Sequence, residues 1–186
     1  MFIQTETTPN PSTLKFLPGM DVLGSGSANF PSLEEAKGKS PLAEALFVTG
    51  GVTQVFLGAD FVSVTKEESR DWQSLKPQIL AAIMDHFTIG APVMVGEADE
   101  AHSEHEGANS EVVAQIKELL DERVRPAVAQ DGGDIVFRRF EDGVVYLAMQ
   151  GACAGCPSST ATLKMGIENM LRHYIPEVQA VHPVPY

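Results

Sequence analysis

Strand-like and helical patterns of apolar residues alternate along the first half of the chain. The runs MFIQTE and STLKFLPG predict two short strands separated by the proline-containing turn TPNP. Ser40 and Pro41 form a good N-cap and first-position pair for a short apolar helix, PLAEALFVT. The runs VTQVFLG and DFVSVTK predict a hairpin. A helix from about Asp71 to Phe87 then carries one apolar face to pack against the sheet, made of Trp72, Leu75, Ile79, Ile83 and Phe87.

The second half of the chain opens with an amphipathic helix pattern. Apolar residues recur every three or four positions from Val112 to Val124, Asn109 or Ser110 can cap the start, and Pro126 is expected to kink the end. The turn sequence DGGD follows, since its two glycines permit the backbone angles of a tight turn. The runs IVFRRF and VVYLAMQ then predict two strands around an EDG hairpin signal.

A second helix and a last strand complete this half. The run STATLKMGIENMLRHYI predicts a helix that begins near Ser158 or Ser159 and is ended by Pro176. VQAVHPV then offers a final strand. The order helix, strand, strand, helix, strand predicts a small α+β layer.

An acidic run divides the two halves. The segment GEADEAHSEHEGANS has neither a helical nor a strand period, and positions 97–111 hold six acidic residues without a lysine or arginine. That run carries half of the net charge of −12. The sequence therefore predicts two small α+β domains, at 1–95 and 109–186, joined by a flexible acidic linker at 96–108.

Composition narrows the classes of function. With 44% hydrophobic and 20% charged residues, the 186-residue chain has the composition of a soluble globular protein with a packed core. The acidic balance argues against nucleic-acid binding, and no apolar run is long enough to predict a membrane span. The first residues, MFIQTETTPNPS, resemble neither a signal nor a transit peptide, so we expect a bacterial-type cytoplasmic protein, with a mature mitochondrial form as the alternative.

Both cysteines of the chain, Cys153 and Cys156, lie in the stretch GACAGCPSST. This stretch falls between a predicted strand and a predicted helix, where free backbone N–H groups favour thiolates, so lowered thiol pKa values are expected. The residues around the sulfurs are small, which lets a bulky centre or another backbone approach closely. A CxxC pair without signs of secretion points to metal or redox chemistry.

Three chemistries compete for this pair. A thiol–disulfide oxidoreductase also places CxxC between a strand and a helix, but Ala154 and Gly155 differ from the Gly-Pro pair typical of those enzymes. Zinc takes four ligands, and His173 and His182 do not have a zinc-knuckle spacing to the cysteines. An iron–sulfur cluster usually takes four thiolates, so two chains related by a two-fold axis would complete the set.

Other features carry less chemistry. His102 and His105 stand beside carboxylates and could bind a divalent metal loosely, although a solvated linker is the stronger interpretation. Asp131 and Asp134, which flank the glycine pair, are expected to cap neighbouring backbone groups. The first half has neither a cysteine nor a catalytic constellation, so we interpret it as a recognition module for client or assembly proteins.

Two long motifs resemble a known family. The stretch RPAVAQDGGDI followed by GVVYLAMQGACAGCPSSTATLKMGIENML resembles the C-terminal domain of NifU-like (Nfu-type) iron–sulfur cluster scaffold proteins. The runs FIQTETTPNPSTLKFLPG, SPLAEALF, GVTQVF and DFVSVTK resemble the Nfu N-terminal domain. Together they cover nearly the whole chain, with the acidic linker unmatched.

The resemblance implies a non-enzymatic scaffold or carrier. It would assemble or carry a 4Fe-4S cluster shared between the two subunits of a homodimer, with Cys153 and Cys156 as the matching ligand positions. Upstream cluster-assembly proteins and apo iron–sulfur client proteins would be its partners. A thiol–disulfide oxidoreductase is the alternative.

Overall fold

The computed structural model describes residues 1–96, 110–154 and 157–184, with the backbone alone described at 157–159. The chain divides into two compact units, Met1–Glu100 and Ala101–Tyr186. The predicted linker at 96–108 lies outside the described residues except for Gly96. No helix in the described ranges combines the length and apolar character that crossing a membrane requires.

The first unit is a five-stranded antiparallel sheet with helices packed on it. The strand order is β1-β2-β5-β4-β3, so β1 and β3 form the edges. The strands are β1 (Gln4–Thr7), β2 (Thr13–Leu17), β3 (Ala28–Phe30), β4 (Val52–Leu57) and β5 (Val62–Lys66). The helices are α1 (Leu33–Ala36), α2 (Pro41–Val48) and α3 (Trp72–Ile89).

Local chemistry explains the helices of this unit. The Ser40 hydroxyl accepts a hydrogen bond from the backbone N–H of Ala43 at 3.1 Å and donates one to the carbonyl of Val93 at 2.7 Å. Helix α2 is thereby capped and tied to the segment after α3. Helix α3 ends at Gly90, whose φ of 72° is the left-handed conformation that glycine adopts without strain. The predicted strands, hairpin and two helices are thus present, and β3 and α1 are additional.

The core of the first unit lies between the sheet and these helices. Leu75, Ile79 and Ile83 of α3 are almost fully buried, as the helical period predicts. Trp72 is half-buried at the edge of the core and not within it, because its indole N–H reaches the carbonyl of Pro11 at 3.2 Å.

The second unit has the predicted order of elements. Two helical segments, α4 (Ser110–Leu119) and α5 (Arg125–Gln130), are followed by β6 (Gly133–Glu141), β7 (Val144–Gly151), α6 (Pro157–Tyr174) and β8 (Ala180–Val184). Strands β6 and β7 pair antiparallel, and β8 pairs parallel to β7. The unit is therefore an α+β layer with its own core, separate from that of the first unit.

The sequence predicts that Pro126 kinks the end of the first helix of this unit. The structure instead has a wider helical turn just before the proline. A π-helical turn, Leu120–Val124, joins α4 to α5, and the N–H of Arg125 bonds to the carbonyl of Leu120. A proline cannot donate an N–H and its ring crowds the carbonyl four residues before it, so a wider turn ahead of Pro126 relieves the conflict. The helix then continues to Gln130.

Candidate metal centre

Cys153 lies in the tight turn between the end of β7 and the start of α6. Gly151 closes β7 with a φ of 63°, a conformation that favours glycine. The N–H of Ala152 bonds to the carbonyl of Gly132 at 3.2 Å, and the N–H of Ala154 bonds to that of Gly151 at 3.1 Å. On the helix side, the Thr160 hydroxyl donates to the carbonyl of Cys153 at 3.1 Å. The backbone of Cys153 is therefore held from both sides.

The sulfur of Cys153 points inward, although the small residues around it led us to expect a thiol that a bulky centre could approach closely. Cys153 is 7% exposed and packs with the apolar core of the second unit. Its sulfur lies against Gly133, the first residue of β6, where an added Cβ would stand 2.6 Å from Sγ. The glycine pair of DGGD therefore does more than turn the chain, because its second glycine leaves room for the thiol.

The electrostatic environment of Cys153 also differs from the expectation of a lowered thiol pKa. Burial, followed by the charges of Asp131 and Asp134, raises the pKa of Cys153 to about 12. Removing a thiolate from water and placing it near two carboxylates both disfavour the charged form. The raised pKa therefore favours the protonated thiol at neutral pH.

An ion pair between buried Asp134 and part-buried Arg125 lies near the cysteine. Arg125 of α5 donates two hydrogen bonds to the carboxylate of Asp134, from Nε and Nη2, each at 2.9 Å. Asp121 accepts a third from Arg125 at 3.1 Å. The two carboxylates raise the pKa of Arg125, with hydrogen bonding to Asp134 as the largest cause. This pair ties the first helix of the unit to the strand that faces Cys153.

Sequence reasoning identified part of this pair. Asp134 was expected to cap backbone, and it does accept the N–H of Ile135 at 2.8 Å. Its bidentate partner Arg125 was missed. The spacing of Asp121 and Arg125, four apart on one helix, was the available signal.

The other candidate residues do not gather at Cys153. Cys156, His102 and His105 lie outside the described residues. His173 stacks edge-on with Tyr174 at 5.0 Å between ring centroids, and His182 lies on β8 beside Tyr146. Across the described ranges, no group of three or more His, Cys, Asp or Glu side chains could hold a metal ion.

Comparison with known proteins then decides the family. A family model described as "Scaffold protein Nfu/NifU N terminal" matches residues 3–90, and one described as "NifU-like domain" matches residues 116–182. The chain belongs to the Nfu-type, NifU-like family. Its first unit is the Nfu N-terminal domain and its second unit contains the NifU-like domain.

Curated relatives match this Nfu-type chain along almost its whole length. A Drosophila ananassae protein named "NFU1 iron-sulfur cluster scaffold homolog, mitochondrial" is 53% identical over 185 residues, which are 99% of this chain and 64% of that protein. A Drosophila virilis protein of the same name is 54% identical, with 99% of this chain and 62% of that protein covered. The Nfu-type chain thus spans somewhat less than two thirds of the length of these relatives.

Solved structures also match the Nfu-type chain. The solution NMR structure of a NifU-like protein from Saccharomyces cerevisiae is 31% identical, with a TM-score of 0.47. The match covers 52% of this chain and 87% of that protein.

The comparisons correct the expected location. A bacterial-type cytoplasmic protein was the first expectation, and it is wrong, because the relatives are named as mitochondrial. The absence of a recognisable presequence in MFIQTETTPNPS was a poor basis for that expectation.

Proposed function

We propose that this chain is a non-enzymatic scaffold or carrier for an iron–sulfur cluster. It would hold a 4Fe-4S cluster between two copies of the chain, through Cys153 and Cys156 of each, and pass it to apo-proteins in the mitochondrion. The observation that carries the proposal is the position of Cys153, held by backbone and side-chain hydrogen bonds in the turn between β7 and α6. The family and the names of the curated relatives support the same cargo.

The number of thiols supports sharing between two chains. Iron–sulfur clusters are usually held by four cysteine thiolates, and this chain brings two. A two-fold axis that places two such turns face to face supplies four. Such a cluster would lie at a subunit interface, where a client protein could reach it.

The residues around Cys153 suit such a cargo chemically. A thiolate is the soft ligand that iron–sulfur clusters take, and the neighbours Ala152 and Ala154 are small. Coordination would remove the proton from Sγ of Cys153, and the approach of positively charged iron would offset the cost of the nearby carboxylates. Because the sulfur is turned inward, it would have to rotate outward to reach a cluster.

Cys153 is poorly suited to the alternative, thiol–disulfide exchange. The attacking species in that reaction is an accessible thiolate, and catalytic cysteines have lowered pKa values. Burial and two carboxylates instead raise the pKa of Cys153 to about 12. The proposal therefore favours a binding role for this thiol over an attacking one.

Anaerobic reconstitution with iron and sulfide tests the ligand assignment. The wild-type chain should acquire the visible absorption of an iron–sulfur cluster and restore activity to an apo enzyme that needs a four-iron cluster. Cys153→Ser and Cys156→Ser should each lose both properties.

A matched control separates thiol position from thiol number. Combining Cys153→Ser with Ser69→Cys restores two thiols per chain but places one at an exposed position of the first unit. This variant should remain colourless. If it binds and transfers a cluster as well as the wild type does, the proposed site is wrong.

A further inference from the structure

Gly133 and Gly151 face each other where β6 and β7 separate into the cysteine turn. The two residues are partners in the antiparallel register, and Cys153 follows two positions after Gly151. Gly132 and Gly151 have positive φ values of 81° and 63°, so the backbone angles require glycine there. Gly133 is not among the residues with positive φ. Packing around position 133, and not the backbone angle there, is therefore the reason that a residue without a side chain fits.

The space at Gly133 is filled by Cys153. A Cβ built on Gly133 would stand 2.6 Å from Sγ of Cys153, 2.7 Å from the carbonyl oxygen of Gln150 and 3.1 Å from the backbone nitrogen of Cys153. Two of these contacts are with backbone atoms, which cannot rotate away as the end of a side chain can. Alanine at position 133 would therefore require the sulfur to leave its position and the neighbouring backbone to shift.

The surroundings keep the turn against β6. The backbone of Ala152 is bonded to Gly132, and the carbonyl of Cys153 is bonded to Thr160 of α6. With its backbone fixed at both points, Cys153 can move its sulfur mainly by rotating about its own side-chain bond. The inward position has Gly133 on one side and the apolar core on the other.

We propose that Gly133 is a positioning residue for Cys153: the room left by its missing side chain seats the sulfur inward and withholds the thiol from solvent in the cluster-free chain. Loading of a cluster then requires the sulfur to leave this seat. The inference rests on the proposed function only in taking Cys153 as a ligand. Its test uses the cluster-free protein, so the two proposals can fail separately.

The test is the rate at which Cys153 reacts with iodoacetamide, followed by mass spectrometry on the full chain. Cys156→Ser is the common background, so that Cys153 is the single thiol. Adding Gly133→Ala should displace the sulfur and speed alkylation by about tenfold or more, because reactivity follows exposure. Adding Gly166→Ala is the matched control, since a Cβ there meets nothing within 4 Å. It should leave the rate unchanged.

A urea series distinguishes displacement of the sulfur from unfolding of the chain. Local displacement predicts an accelerated rate that is nearly independent of low urea concentrations. Global opening predicts a rate that rises with urea in proportion to the surface exposed on unfolding. A Gly133→Ala rate equal to that of its parent, or an increase that follows global unfolding, would overturn the inference.

A second comparison applies even if Gly133→Ala does not fold. In the Cys156→Ser chain, Cys153 should react about tenfold or more slowly than the exposed thiol of Ser69→Cys in a chain lacking both native cysteines. If Gly133→Ala folds, its effect on stability gives a further test. The substitution should lower the urea midpoint less in a Cys153→Ala chain than in a chain that keeps Cys153, because the contact with Sγ is then gone. Equal alkylation rates for the seated and exposed thiols would contradict the inference.

Discussion

At the scale of single residues, burial is the main reason that the pKa of the Cys153 thiol is raised. A thiol beside the start of a helix is expected to ionise easily, but this sulfur is packed into the core and the charges of two carboxylates act on it. The sequence patterns on either side of the CxxC motif predict which elements flank the sulfurs. They do not show whether a sulfur points toward solvent, because that depends on a glycine twenty positions earlier in the chain.

The raised pKa of Cys153 predicts a loss of stability at high pH. The unfolded thiol has a pKa near 8.5 and the folded thiol one of about 12, so the unfolded chain ionises first. The stabilising effect of the protonated thiol is complete below about pH 8.5 and declines toward pH 12, by at most about 1.4 kcal/mol per pH unit.

Urea unfolding under reducing conditions between about pH 7.5 and pH 10 checks this prediction. The free energy of unfolding of the wild type should fall more steeply with pH than that of Cys153→Ala, since lysine and tyrosine ionisation is common to both. Ser69→Cys in the Cys153→Ala chain adds an exposed thiol and should not restore the steeper slope. Identical slopes for wild type and Cys153→Ala would show that the thiol titrates normally.

At the scale of elements, the Arg125–Asp134 pair joins helix α5 to strand β6. Asp134 is 5% exposed, so Arg125→Met would remove the cation that donates two hydrogen bonds to a buried carboxylate and should lower the free energy of unfolding by about 3 kcal/mol. Arg125→Met combined with Asp134→Asn should recover part of that loss, because the buried carboxylate charge is removed together with its cation.

An exposed ion pair on the same strand is the control for this prediction. Arg139 lies 3.4 Å from Glu141 with both side chains more than half exposed, so Arg139→Met should cost less than about 1 kcal/mol. Urea unfolding monitored by circular dichroism compares the variants. A cost for Arg125→Met as small as that for Arg139→Met would mean that the buried pair does not hold the two elements together.

Elements were predictable where local chemistry determines them. Ser40 before Pro41 fixed the start of α2, and the Asp142-Gly143 turn fixed the β6–β7 hairpin. The missed strand β3 has three residues and pairs only with β4, so its apolar period is too short to recognise. The parallel pairing of β8 with β7 depends on how α6 crosses the sheet, which a local pattern does not encode.

At the scale of the whole molecule, the chain is two units with separate cores, and the candidate site lies in the second. The sequence placed Cys153, the candidate ligand, correctly between a strand and a helix. It missed Gly133 and Arg125, because both act through contacts between residues distant in the chain.

The first unit is proposed to recognise partners, since the candidate site lies in the second. Deleting residues 1–95 should leave cluster loading intact but slow transfer to client proteins by about tenfold or more, because the tethered unit no longer raises the local concentration of a client. Transfer kinetics of the full and shortened chains, each loaded with the same amount of cluster, measure the effect. Unchanged client binding and transfer would remove this role.

The shared cluster is the central claim, and native mass spectrometry of the anaerobically reconstituted chain tests it most directly. The account predicts a dimer that carries one four-iron, four-sulfide cluster, together with cluster-free monomer or dimer in Cys153→Ser. A complete cluster on a single chain, or a colourless chain with one tightly bound zinc ion, would contradict it.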